Sequence, residues 1–144
     1  PILLEYFTKI NNLEKLSFSG ADDTVTFGAD EFNAGIRTLN LGNGTNIANL
    51  NADTTSSVQV KVNGGTGTDT FNLDFSRLSE GDYSINGGTG TDTLKLSGST
   101  GANAISEDTN FTTNSTITNV EKLDITSLNL NTSNDSTEFN FTEA

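Results

Sequence analysis

Apolar side chains recur at every second position in short runs along this chain. V-Q-V-K-V at 58–62, F-N-L-D-F at 71–75 and L-K-L at 94–96 are the clearest. L-S-F at 16–18, V-T-F at 25–27, L-N-L at 39–41, L-D-I at 123–125, L-N-L at 128–130 and F-N-F at 139–141 follow the same rule. An apolar residue at i and i+2 with a polar one between is the period of a half-buried strand. Clusters of Gly, Asn, Asp and Ser separate the runs and supply turns. Helical signals are sparse. Apolar residues at 3, 6, 7, 10 and 13 suit a short amphipathic helix within residues 2–16, and equally a strand. Ser76–Ser79 fits a single helical turn.

The period-2 pattern alone is compatible with antiparallel hairpins or with stacked parallel coils. An internal repeat favours the coils. Residues 62–73 read V-N-G-G-T-G-T-D-T-F-N-L and residues 85–96 read I-N-G-G-T-G-T-D-T-L-K-L, identical at nine of twelve positions with an offset of 23. Repeats of 20–50 residues point to a solenoid. Gly64, Gly65, Gly67 and Asp69 of the first copy align with Gly87, Gly88, Gly90 and Asp92 of the second.

The glycines and aspartates suggest a chemistry of their own. Neighbouring strands lie about 4.8 Å apart, so a 23-residue coil sets Asp69 directly against Asp92. Bare stacked carboxylates repel. Calcium between them reverses that sign, and a hard, all-oxygen donor set favours it over a transition metal. Glycines at φ > 0 would turn backbone carbonyls toward the ion. The plain alternative is a tight turn whose Asp caps its own backbone. G-A-D-D-T-V at 20–25 looks like a degenerate copy, which adds Asp22 and Asp23 as candidate ligands. Asp74, Asp82 and Asp108 read as surface charge, and Asp53 as a loop residue remote from the ion. The threonines at 66, 68, 70 and 89, 91, 93 read as cross-strand pairs on an outer face.

Composition narrows the classes. The chain has 144 residues and is 32% hydrophobic, with seven Lys+Arg against 19 Asp+Glu and a net charge of -12. Thr, Asn, Ser and Gly together make up 70 residues, so each coil buries few side chains. No Cys, Met, Trp or His occurs. Thiol or histidine catalysis and Cys/His zinc sites are therefore excluded. The acidic balance argues against nucleic acid and anionic membrane as partners. No apolar run approaches the roughly 20 residues that span a bilayer. Paired carboxylates alone suffice for glycoside hydrolysis, but Arg37 and Arg77 are the only arginines for gripping an acidic sugar, so an enzyme is not expected.

The block G-G-T-G-T-D-T-[FL] resembles the G-G-x-G-x-D-x-U-x nonapeptide of RTX (repeats-in-toxin) proteins, with Phe71 and Leu94 at U. A second phrase recurs at an offset of 107: I-N-N-L-E-K-L-S-F at 10–18 and I-T-N-V-E-K-L-D-I at 117–125. Its own residues read as scaffold, a strand with a solvated Glu/Lys pair. Beside the glycine blocks, the phrase resembles Gram-negative surface-layer proteins and large RTX exoproteins. The resemblance implies an all-β, right-handed parallel β-helix or β-roll-like solenoid of irregular coils with Ca²⁺-binding turns. Tandem RTX repeats follow every nine residues, whereas 23 separate the copies here, so one such turn falls on each larger coil. It further implies a single domain at 1–144, part of a longer exported protein, located at the cell surface or secreted. The partners implied are other copies in a surface array or neighbouring repeats of the same chain. The alternative is an adhesin or polysaccharide-associated module with a glycan or cell-surface ligand.

Overall fold

The computed structural model describes residues 9–53, 58–80, 82–98 and 115–128. The runs at 129–130 and 139–141, the start of the segment 2–16, and Asp108 lie outside them.

The described strands form two parallel sheets stacked as a β-solenoid. The first contains β1 (Lys15–Ser17), β3 (Thr38–Asn40), β6 (Val60–Gly67), β8 (Tyr83–Gly90) and β10 (Thr116–Thr118), in that order, with β4 (Asn43–Gly44) also on β6. The second runs β2 (Thr24–Phe27), β5 (Ile47–Leu50), β7 (Thr70–Asp74), β9 (Thr93–Ser97), β11 (Lys122–Ser127). Every pairing is parallel. Each coil passes through both sheets in turn, so the chain spirals rather than doubling back.

The 23-residue period extends well beyond the two copies visible in the sequence. Lys15 pairs with Thr38, Thr38 with Lys61 and Lys61 with Ser84 in the first sheet. Thr24, Ile47, Thr70 and Thr93 follow one another in the second. The coils expected to be irregular are thus regular from β1 to β9. Only in the last does the offset grow, with Thr116 on Ser84 and Lys122 on Thr93.

Period-2 alternation places one side chain of each pair between the sheets. Val25, Ala48, Phe71 and Leu94 form one buried column, and Phe27, Leu50, Leu73 and Leu96 another. Leu39, Val62 and Ile85 face them from the first sheet. The polar partners stack outside as amide ladders. Asn63 Nδ2 donates to Asn40 Oδ1 at 2.7 Å, and Asn72 Nδ2 donates to Asn49 Oδ1 at 2.7 Å. An amide both donates and accepts, so identical Asn side chains support one another along a column.

Lys15–Ser17 is strand, as the L-S-F run at 16–18 predicts. Three local expectations change. Residues 58 and 59 precede β6 rather than starting it, and Val58 is 39% exposed. The expected turn at Ser76–Ser79 is the helix α2 (Phe75–Glu80), opened by Asp74 Oδ1, which accepts from Ser76 N at 2.9 Å and Oγ at 2.7 Å. A further short helix, α1 (Ala29–Asn33), forms where no periodic signal predicts one. There the buried Glu31 accepts the Gly28 N–H at 2.7 Å, closing the first turn.

The glycine-rich segments are not free turns. Gly65, Thr66 and Gly67 remain paired with Gly88, Thr89 and Gly90, so β6 and β8 run through the corner. Gly67 has φ +128, and a Cβ there would overlap the Gly44 carbonyl of the preceding coil. Gly20 has an ordinary φ, and its Cβ would make ordinary contact with the Asn43 side chain, nearest at 3.5 Å. Gly67→Ala is therefore expected to cost about 2 kcal/mol or more, while Gly20→Ala stays within about 0.5 kcal/mol. Urea denaturation of the two variants checks this, and equal losses would contradict the close coil contact.

Candidate metal site at the stacked glycine corners

One column of side chains crosses the corner from the first sheet to the second. It holds Asp23, Asn46, Asp69 and Asp92 at the 23-residue spacing, and Glu121 in the longer last coil. From Asn46 onward, each accepts a backbone N–H from the coil before. Asp23 N donates to Asn46 Oδ1 at 3.0 Å, and Asn46 N to Asp69 Oδ1 at 3.1 Å. Asp69 N donates to Asp92 Oδ1 at 2.8 Å, and Asp92 N to Glu121 Oε2 at 2.7 Å. The Asn46 amide adds a second donation to Asp69 Oδ1 at 2.8 Å. One oxygen of each aspartate of the G-G-T-G-T-D motif therefore replaces a backbone acceptor where the chain turns.

The other oxygen has no such role. Asp69 and Asp92 are 0% exposed, and Oδ2 of each is buried without a hydrogen-bond partner. An unsatisfied buried polar atom costs about 1–3 kcal/mol, and more when charged. Burial is the main reason the Asp69 carboxyl is held above the ordinary aspartate range; the Asn46 donations oppose it and the Asp92 carboxylate adds to it.

The surroundings of these oxygens are set by glycine. Gly64 and Gly87 continue the column in which Phe18 and Leu41 stand one coil after another. Where those coils place an apolar side chain, the next two place none. A Cβ on Gly64 would overlap both Asp69 Oδ2 and the Gly87 carbonyl oxygen. A Cβ on Gly87 would overlap the Asn119 carbonyl oxygen and lie 2.6 Å from Asp92 Oδ2. At each corner, then, a buried carboxylate oxygen and a backbone carbonyl oxygen crowd the same small space. Two oxygen acceptors with no donor between them repel, and a cation is what makes such an arrangement favourable.

The sequence-predicted residues separate into three groups. Gly64, Gly87, Asp69 and Asp92 meet at the corners. Gly65, Gly67, Gly88 and Gly90 do not line the crowded space; they adopt φ between +103 and +139 and let the coils approach. Asp22 and Asp23 lie apart, separated from Asp69 by the coil of Asn46. Asp22 Oδ1 accepts the Thr45 N–H at 2.7 Å on the surface. Asp82, read as surface charge, is only 1% exposed and stands 3.8 Å from Arg77. Arg77 also pairs with the exposed Asp53 at 2.7 Å, so Asp53 is an ion-pair partner rather than an idle loop residue.

Sequence reasoning missed Asn46 and Glu121. Asn46 was within reach by stepping one period back from Asp69. Glu121 was not, because the last coil is longer. Among the described residues, no three His, Cys, Asp or Glu side chains gather as a metal cluster. The donors at the corner are instead a carboxylate and main-chain carbonyls. No protein-family model, curated protein or solved structure matches this chain.

The raised Asp69 carboxyl makes stability depend on pH. The folded state holds this proton more tightly than the unfolded state. Its contribution is complete below the ordinary aspartate value near 3.8 and is lost as pH rises through the raised one. Asn46 shows that an amide fits the column. In chelator, wild type should therefore lose stability relative to Asp69→Asn as pH rises above the ordinary aspartate range. Thermal melts of both proteins across pH test this, and parallel curves would show that the buried carboxylate is not strained.

Proposed function

We propose that this chain is a structural, calcium-stabilised β-solenoid of an extracellular bacterial protein, a surface-layer protein of the RTX type, with no catalytic role. The observation that carries the reading is the pair of buried, partnerless oxygens of Asp69 and Asp92, each crowded against a backbone carbonyl at a corner kept open by glycine.

The donor set suits calcium. Hard oxygen ligands, a carboxylate and a main-chain carbonyl at each corner, suit an ion that takes only oxygens in flexible geometry. Asp69 Oδ2 and the Gly87 carbonyl would hold one ion, with the carboxylate charge balanced rather than buried bare. Bound calcium would join adjacent coils at the one edge where side-chain packing is replaced by glycine.

The same ion bears on assembly. A chain of net charge -12 repels its own copies over about 8 Å at physiological salt. Calcium lowers that charge where coils stack and favours lateral packing into an array. Nothing in the donor set calls for a substrate, and no helix among the described residues is long and apolar enough to cross a membrane.

Two measurements test the proposal. Extracellular calcium modules bind at about 10⁻⁴–10⁻³ M. A tenfold to hundredfold excess should stabilise the fold by about 1.4–2.7 kcal/mol per site. The melting temperature should rise with calcium, fall with chelator and respond little to magnesium, which demands compact octahedral geometry. A melting curve indifferent to calcium overturns the calcium reading. Electron microscopy of the longer protein containing this segment should show ordered sheets only with calcium. Dispersed rods that bind a glycan would replace the array with an adhesin.

A further inference from the structure

The phrase N-V-E-K-L at 119–123 carries no glycine and matches no calcium motif, yet the structure stacks it on the second glycine corner. Two of its contacts repeat contacts at the corner beneath. The Gly87 carbonyl stands against Gly64 and Asp69 Oδ2; the Asn119 carbonyl stands against Gly87 and Asp92 Oδ2. Asp92 Oδ1 accepts the Asp69 N–H at 2.8 Å; Glu121 Oε2 accepts the Asp92 N–H at 2.7 Å. Asn119 reaches this position through φ +50, a left-handed conformation that Asn tolerates better than other side-chain-bearing residues.

We infer that this corner completes a second calcium position, in which the Asn119 carbonyl and the Glu121 carboxylate join Asp92. The inference rests on the reading that the glycine corners bind calcium. Its support in the structure is Asp92 Oδ2, fully buried, without a hydrogen-bond partner and crowded with the Asn119 carbonyl against Gly87. With Glu121 the acidic column continues into the last coil, so an ion beside Asp92 has a carboxylate on the following coil, as an ion beside Asp69 has Asp92. Glu121 is exposed, whereas Gly64, Asp69, Gly87 and Asp92, which enclose the Asp69 position, are all buried.

The other copy of the phrase supplies a control inside the same molecule. N-L-E-K-L at 12–16 has the same left-handed asparagine, Asn12 at φ +65. It stacks on the opposite corner, where Leu13 N donates to the Ala34 carbonyl at 3.1 Å. The three atoms nearest a Cβ on Gly35, its glycine neighbour there, would be backbone atoms of Asn12 and Leu13 at 3.5 Å, and none is a carboxylate oxygen. The phrase becomes a ligand only where an aspartate waits opposite it.

Calcium titration by calorimetry on the full 144-residue chain tests the assignment, with circular dichroism to confirm folding. Glu121→Gln keeps an acceptor for the Asp92 N–H and removes the charge. It should bind one calcium fewer than wild type, or bind that ion at least about tenfold more weakly, since ligand charge tunes calcium affinity over decades. Glu14→Gln should bind as wild type does. In an Asp69→Asn background, which removes the enclosed position, Glu121→Gln should abolish the remaining binding. Unchanged stoichiometry and affinity in Glu121→Gln overturn the inference while leaving calcium at the first corner intact. No calcium bound by wild type overturns the calcium reading and this assignment together.

Discussion

The backbone contact between successive coils governs the rest of the structure. Parallel coils lie about 4.8 Å apart, and their main chains hydrogen-bond on the sheets and through the corner. Thr66 N donates to the Gly42 carbonyl at 3.1 Å, and Thr68 N to the Gly44 carbonyl at 3.2 Å. Such a stack brings like positions together, so each column must hold residues that tolerate copies of themselves. Aliphatic columns do so by packing and Asn columns by mutual hydrogen bonding. An aspartate column does not, because carboxylates only accept and repel one another.

The chain treats this conflict differently along its length. Around Asn46 the corner has an amide, which donates as well as accepts, and Leu41 buried beside it. That version is neutral and closed. Around Asp69 and Asp92 the amide becomes a carboxylate and the apolar residue becomes glycine, two changes that each destabilise a calcium-free solenoid. Burying a charge costs several kcal/mol, and glycine forfeits the packing that leucine supplies. The neutral version two dozen residues away shows that the fold can do without both. Their joint appearance is intelligible if the glycine makes room for an ion and the carboxylate balances its charge.

Much of this was legible in the sequence, and the gaps have physical causes. Strand positions followed from alternation because each strand has one face on the core. The period of 23 was visible only at 62–73 and 85–96, where both the corner glycines and the strand residues repeat. Upstream the coil constrains polarity rather than identity: Val25, Ala48, Phe71 and Leu94 share a column while differing in size and shape. The helix α1 was invisible because five residues are too few to show a 3.6-residue period. Asp82 gave no sign of burial, since its neighbour Arg77 comes from α2 and the local sequence resembles any polar loop. Asp69 and Asp92 were found as motif residues. Their acceptance of backbone N–H groups was not, because donor and acceptor lie 23 or more residues apart.

The 107-residue repeat shows that a sequence repeat need not be a structural one. Lys15 and Lys122 occupy the same place in the same phrase, yet Lys15 belongs to the first sheet and Lys122 to the second. What the copies share is a corner: a left-handed asparagine with a strand starting three residues later. A solenoid of two sheets has two corners per coil, and a phrase that codes only for a corner fits either. This explains how the stack continues at β10 and β11, where the register offset changes from 23 to 32 in the first sheet and 29 in the second. The corner at Asn119 needs no glycine and no fixed coil length before it, only the carbonyls and N–H groups of the coil beneath. In that position it inherits the chemistry of whatever it covers, and what it covers is Asp92.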